Sequence, residues 1–247
     1  MDYTVLRIAV AGLLAGVIGT GLGGLIISAL GQPSKRVLSF VLGFSAGIML
    51  AMIFVDLLPE SLDLGGPTNT FAGLVLGIGL LLLLDFVVPH QHVAGGEDQH
   101  SHYLRLSILL GLGIALHNLP EGLAIGTGYI ASQERGWRLM MATLLHNIPE
   151  GMAMAGPMVA AGITSFKVAA AAILAGLPEG IGALLGALIG RVSTATLAVS
   201  SSFAAGAMLY IVFDELIPEA QEHAEGHSGT FGGVLGVVIG MAMLYYL

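Results

Sequence analysis

Residues 44–60, FSAGIMLAMIFVDLLPE, recur at residues 203–219 as FAAGAMLYIVFDELIPE. The two stretches align without a gap and are identical at nine of 17 positions. After one inserted residue the match resumes, with Phe71-Ala72-Gly73 against Phe231-Gly232-Gly233. Each copy is apolar over enough residues to belong to a bilayer-crossing helix. With these two, eight segments in all reach spanning length, at about 4–30, 37–62, 69–88, 103–130, 137–161, 166–190, 194–221 and 228–247. The breaks between them carry turn chemistry, as in Gly31-Gln32-Pro33-Ser34 and Gly65-Gly66-Pro67.

On that count the second span corresponds to the seventh, and the third to the eighth. The members of each pair are five places apart in order, and an odd offset reverses direction. The first three and last three spans should therefore form an inverted-topology repeat around a central pair. The expected fold is an all-α integral membrane protein of one domain, 1–247, with eight transmembrane helices in a 3+2+3 arrangement.

Composition agrees. The chain is 55% hydrophobic and 10% charged, with mean hydropathy +0.90, which is too apolar for a water-exposed surface. Its 37 glycines suit close helix packing in a membrane, and the Gly-rich spans permit a homodimer. There is no cysteine, so disulfides and thiolate ligands are excluded. Sixteen acids against eight bases argue against nucleic acid as a partner and favour cations. Orientation is not encoded in charge. Lys35, Arg36, Arg105 and Lys167 on one side balance Arg7, Arg135, Arg138 and Arg191 on the other. The apolar N-terminus reads as a retained first span.

The fourth and fifth spans carry LHNLPEG at 116–122 and LHNIPEG at 145–151, alike at six of seven positions. A reduced copy, Leu177-Pro178-Glu179-Gly180, lies in the sixth. Charge at that depth is costly and calls for a partner and a role. Residues i and i+4 share a helix face, so His117 can join Glu121 at one ion, and His146 can join Glu150. Asn118 and Asn147, three residues before those glutamates, reach a neighbouring point. A carboxylate has two oxygens and can bridge, so one site or two adjacent sites are open. Pro120 and Pro149 cannot donate to the carbonyls of Leu116 and Leu145, so a kink is expected at each motif. Imidazole, amide oxygen and carboxylate together suit zinc, iron(II), manganese or cadmium rather than copper(I).

The paired His-Asn-x-Pro-Glu-Gly motifs and the Pro-Glu-Gly of the sixth span resemble those of the ZIP (Zrt-, Irt-like protein) family of divalent metal transporters. The short loops and near-identical motifs are similar to its bacterial and GufA-like branches. The resemblance covers the whole chain. It implies zinc transport into the cytoplasm through a binuclear centre between helices four, five and six, and no cofactor beyond the transported ion. His117, Glu121, His146 and Glu150 would bind one ion. Asn118, Asn147 and Glu179, with bridging Glu121 and Glu150, would bind the other. The family topology puts both termini outside, here across a bacterial inner membrane, and residues 89–102 in the cytoplasm.

That orientation makes Asp56 and Glu60 candidate entrance residues, and Asp214 and Glu219 candidate exit residues. Ser45 joins the pathway if the second helix lines it. As solvated helix ends these acids would need no function. The segment 89–102, PHQHVAGGEDQHSH, offers His90, His92, His100 and His102 for metal capture, or is a mobile polar connector. Asp85 reads as a helix end or packing partner. A metal-selective channel is the alternative to a carrier. An intramembrane metalloenzyme is disfavoured. His-Glu-x-x-His is absent, and the motifs within the spans run His-x-x-x-Glu rather than Glu-x-x-His.

Overall fold

Ser34, Ser132 and Ser193 each cap a helix start in the same way. Their hydroxyls accept from the backbone N–H of Val37, Arg135 and Thr196, at 3.3, 3.1 and 3.1 Å. Such caps satisfy a donor that the first helical turn leaves free. The computed structural model describes residues 3–87, 99–189, 193–222 and 226–246. Among them the chain is helical, with no strand. The helices are α1 (Tyr3–Leu30), α2 (Lys35–Ala51), α3 (Leu58–Val87), α4 (Gln99–Ala131), α5 (Gln133–Ala160), α6 (Ser165–Ile189), α7 (Thr194–Ile211), α8 (Ile217–Glu222) and α9 (Ser228–Tyr246).

Two wide, π-helical stretches interrupt this pattern. Met52–Leu57 joins α2 to α3, and Val212–Leu216 joins α7 to α8. The repeat pairs Met52 with Ile211 and Leu57 with Leu216. Both copies therefore widen at the same place in the repeat, to within one residue at the start. A π turn re-aims the residues after it and is often found at functional sites.

Among the described residues, six helical segments are long and apolar enough to cross a membrane: Tyr3–Leu30, Lys35–Phe86, His100–Ala131, Ser165–Ile189, Thr194–Glu222 and Ser228–Tyr246. The 52-residue stretch Lys35–Phe86 is broken at Gly66, whose φ of 69° and ψ of 176° are non-helical. Glycine tolerates that conformation, and Pro67 then restarts a helix. The 28-residue α5 is long enough but less apolar, because it holds Glu134, Arg135, Arg138 and a polar motif.

The helices sort into two groups. α1 packs on α5 and α6, and α4 packs on α5 and α6. Separately, α2 packs on α9 and α3 packs on α7. The pattern is preserved when α1 is exchanged with α6, α4 with α5, α2 with α7, and α3 with α9. The links between groups, α4 with α7 and α2 with α5, obey the same exchange. Leu42 and Met49 of α2, Leu106 and Leu110 of α4, Met154 of α5 and Met208 of α7 form the apolar seam between the groups. Large side chains such as Phe71, Phe86, Leu174, Phe231 and Val234 stay exposed on the outside, as lipid-facing positions do.

Two helix starts depart from the sequence reading. α5 begins at Gln133 rather than near 137, its first turn capped by Ser132. The composition of 89–102 predicts a loop, but α4 begins at Gln99, so His100 and His102 are helical. The extra turn forms because Tyr103, Leu106 and Leu110 bury one face. His100 and His102 also find partners in Ala161 and Glu219. His90 and His92 lie outside the described residues.

Candidate metal centre

α4, α5 and α6 run on as helix through Pro120, Pro149 and Pro178. Two glycines let them and α1 approach. A Cβ on Gly122 would strike the carbonyl of Glu179, and one on Gly151 would strike the carbonyl of Thr20. Both are backbone contacts that cannot swing away. The motif glycine thus brings α4 against α6 and α5 against α1. Thr20 ties α1 to α6 as well, donating to the carbonyl of Ala172 at 2.8 Å.

The motif side chains converge between these helices. His117, Asn118, Glu121, His146, Asn147, Glu150 and Glu179 are all buried, none more than 6% exposed. His117 Nε2 lies 3.0 Å from Glu150 Oε2, and His146 Nε2 lies 3.1 Å from Glu121 Oε2. The pairing is reciprocal and crosses from α4 to α5. Asn147 donates to Glu179 Oε2 at 2.7 Å, which draws α6 in. Asn118 donates to the carbonyl of Ala175 at 3.0 Å.

What these bonds leave over is the informative part. Nδ1 of His117 and His146, Oδ1 of Asn118 and Asn147, and Oε1 of Glu121, Glu150 and Glu179 are buried without a hydrogen-bond partner. When each imidazole is neutral and gives its Nε2–H to a carboxylate, as it must be to bind a metal, all seven are acceptors. Buried polar atoms are normally satisfied, and an unpaired charge in a dry interior is more costly still. Seven nitrogen and oxygen lone pairs with no donor fit a cation, and the donor types are those of zinc, iron(II) and manganese.

A cavity of about 30 Å³ lies beside the cluster, lined by Glu121, His146 and Pro120 and by Asp56 and Glu60. That is room enough for a water molecule. Glu60 pairs with Arg135 of α5 at 3.4 Å, with both side chains partly exposed. Ser45 is fully buried and donates to the carbonyl of Pro149 at 2.7 Å.

The other candidates are farther along. Glu219 is buried and meets His102 at 2.9 Å. Asp214 is exposed and clusters with Asp85 and Glu215, their carboxylate oxygens within 4.8 Å of one another. Asp85 accepts from Arg105 of α4 at 3.1 Å and from Tyr210 of α7 at 3.2 Å. It is therefore a packing partner between helices. Thr143 and Ser201 also line the cavity and went unread in the sequence. Thr143 stands three residues before His146, on the same helix face, which marks it in retrospect; Ser201 carries no such mark.

A model of the ZIP zinc transporter family matches residues 88–247. The zinc transporters ZupT of Salmonella newport (strain SL254), Salmonella typhimurium (strain LT2) and Salmonella enteritidis PT4 are each 36% identical to the chain over 237 residues, covering 90% of both sequences. The polar cluster between α4, α5 and α6 falls inside the matched region. The chain belongs to the ZIP zinc transporter family, an integral membrane family of transporters rather than enzymes.

Proposed function

We propose that this protein carries divalent transition-metal ions, zinc foremost and also iron, manganese or cadmium, across the membrane into the cytoplasm. The seven unsatisfied buried acceptors carry this reading. His117, Glu121, His146 and Glu150 hold one ion. Asn118, Asn147 and Glu179 hold the second, with Glu121 and Glu150 bridging. The metal is cargo, and no separate cofactor takes part.

The single domain crosses the membrane eight times, counting Lys35–Phe86 as two passes about Gly66 and α5 as one. The exchange symmetry of the helix packing and the matched π turns support a 3+2+3 inverted repeat. With both termini outside a bacterial inner membrane, Asp56 and Glu60 stand at the entrance. Asp214 and Glu219 stand at the exit. The two helix groups supply the moving parts for alternating access. The cavity on the Glu60 side and the Ser45–Pro149 closure on the other favour a carrier over an open pore.

Uptake of labelled zinc into proteoliposomes tests the proposal. Glu121→Ala and Glu150→Ala should each abolish saturable flux. Wild-type flux in both variants would overturn it.

A further inference from the structure

Ser45 and Pro149 belong to different helix groups, and their bond at 2.7 Å is made next to the metal ligands. Pro149 stands between His146 and Glu150. The repeat that aligns 44–60 with 203–219 sets Ser45 against Ala204. The motif repeat sets Pro149 against Pro120. The exchange that maps α2 onto α7 and α5 onto α4 therefore carries the pair Ser45–Pro149 onto Ala204–Pro120. The two places differ by one hydroxyl. Where the hydroxyl is present, it joins the groups; Ser45 and Ala204 are both wholly buried. Where it is absent, Ala204 and Pro120 both line the cavity leading to Asp56 and Glu60.

We propose that Ser45 is a positioning residue of the transport cycle: its hydroxyl latches the α5 motif to α2 and shuts the Lys35 side of the centre, while Ala204 leaves the Glu60 side open. The inference rests on the alternating-access reading of the transport function. A helical carbonyl keeps a second lone pair, so Pro149 accepts this bond beside its own. A metal leaving toward Lys35 requires the latch to open. A neutral hydrogen bond shifts a two-state balance by roughly two- to tenfold, enough to bias the cycle without freezing it.

The chain has no cysteine, so single reporter cysteines can be placed without background. Leu38→Cys reports the Lys35 side, where Leu38 is 2% exposed. Ala142→Cys reports the cavity on the Glu60 side, which Ala142 lines. Labelling rates with a water-soluble thiol reagent are measured on metal-free, detergent-solubilised protein, where both sides are reachable and the readout does not depend on transport. Ser45→Ala should raise Leu38→Cys labelling about two- to tenfold, and Ser45→Thr, which keeps the hydroxyl, should leave it unchanged. Ala204→Ser, which supplies the missing hydroxyl opposite Pro120, should slow Ala142→Cys labelling by a similar factor. Equal Leu38→Cys rates in Ser45→Ala and the parent would overturn the proposal. So would an equal rise in Ser45→Thr. Should Ser45→Ala not fold, unchanged Ala142→Cys labelling in Ala204→Ser overturns it alone. A labelling shift in a protein that moves no zinc would keep the latch and defeat the cargo assignment.

Discussion

His117 meets Glu150 across two helices at 3.0 Å, although Glu121 stands one turn away on its own helix. Its counterpart His146 does the same with Glu121 at 3.1 Å. The two histidines thus bond to each other's motif. Neither α4 nor α5 completes the polar cluster alone, and each is held in register by the other. In a low-dielectric interior such paired groups are strongly interdependent.

That arrangement predicts where energetic coupling lies. A double-mutant cycle on the metal-free protein should give His117→Ala and Glu150→Gln an interaction energy of about 1–3 kcal/mol. The cycle of His117→Ala with Glu121→Gln should give a clearly smaller value. Equal coupling in the two cycles, read from denaturant or thermal unfolding in detergent, would contradict the crosswise pairing.

Ligand removal should separate the acids from the amides. Glu121→Gln and Glu150→Gln each delete a charge that bridges the two proposed ions. Bonds to charged groups contribute about 1.5–3 kcal/mol, so zinc affinity should fall roughly 10- to 100-fold. Asn118→Ala removes one neutral donor atom and should cost less. Isothermal titration with zinc measures the order, and an equal loss in all three variants would contradict it.

Much of this site is legible in the sequence. The HNxPEG copies and the Pro-Glu-Gly of α6 name all seven side chains of the buried cluster, because carboxylates repeated within apolar spans are too costly to keep without a partner. The repeat of 44–60 at 203–219 pairs α2 with α7, and the packing of α2 on α9 and α7 on α3 is consistent with it; the two π turns at its matched positions carry no mark in the sequence. The crosswise pairing is not legible. Spacing along one helix says which residues share a face, but not which neighbour that face meets. The start of α4 is missed for a related reason: His100 and His102 look like loop residues until Ala161 and Glu219 are seen beside them. Thr20 cannot be read either, since its role depends on α1 lying against α6.

The close approach of the helices gives a steric test. Gly122→Ala would drive a methyl into the Glu179 carbonyl, and Gly151→Ala would drive one into that of Thr20. Overpacking of this kind costs about 1–3 kcal/mol. Both variants should lower the melting temperature of the detergent-solubilised protein. They should also weaken zinc binding, because α6 and α1 are pushed off the cluster. Gly79→Ala, where a Cβ meets nothing within 4 Å, is the control and should be close to neutral.

Glu60 and Arg135 should matter to rate more than to stability. Their pair at 3.4 Å is partly exposed, and such pairs are worth about 0–1 kcal/mol. Glu60→Gln should therefore leave the melting temperature nearly unchanged. It should lower zinc uptake at sub-saturating zinc and low ionic strength, and the defect should shrink as salt screens the entrance. A defect independent of salt would argue that Glu60 acts by holding structure instead.

If α4, α5 and α6 hold the travelling cation with seven buried nitrogen and oxygen donors, the ion itself should be visible there. Crystals grown with zinc, with diffraction recorded above and below the zinc edge, would locate it without reference to transport. Anomalous peaks are expected within the ring of His117, Glu121, His146, Glu150 and Glu179. Zinc found only at surface groups, with that cluster empty at saturating metal, would contradict the assignment.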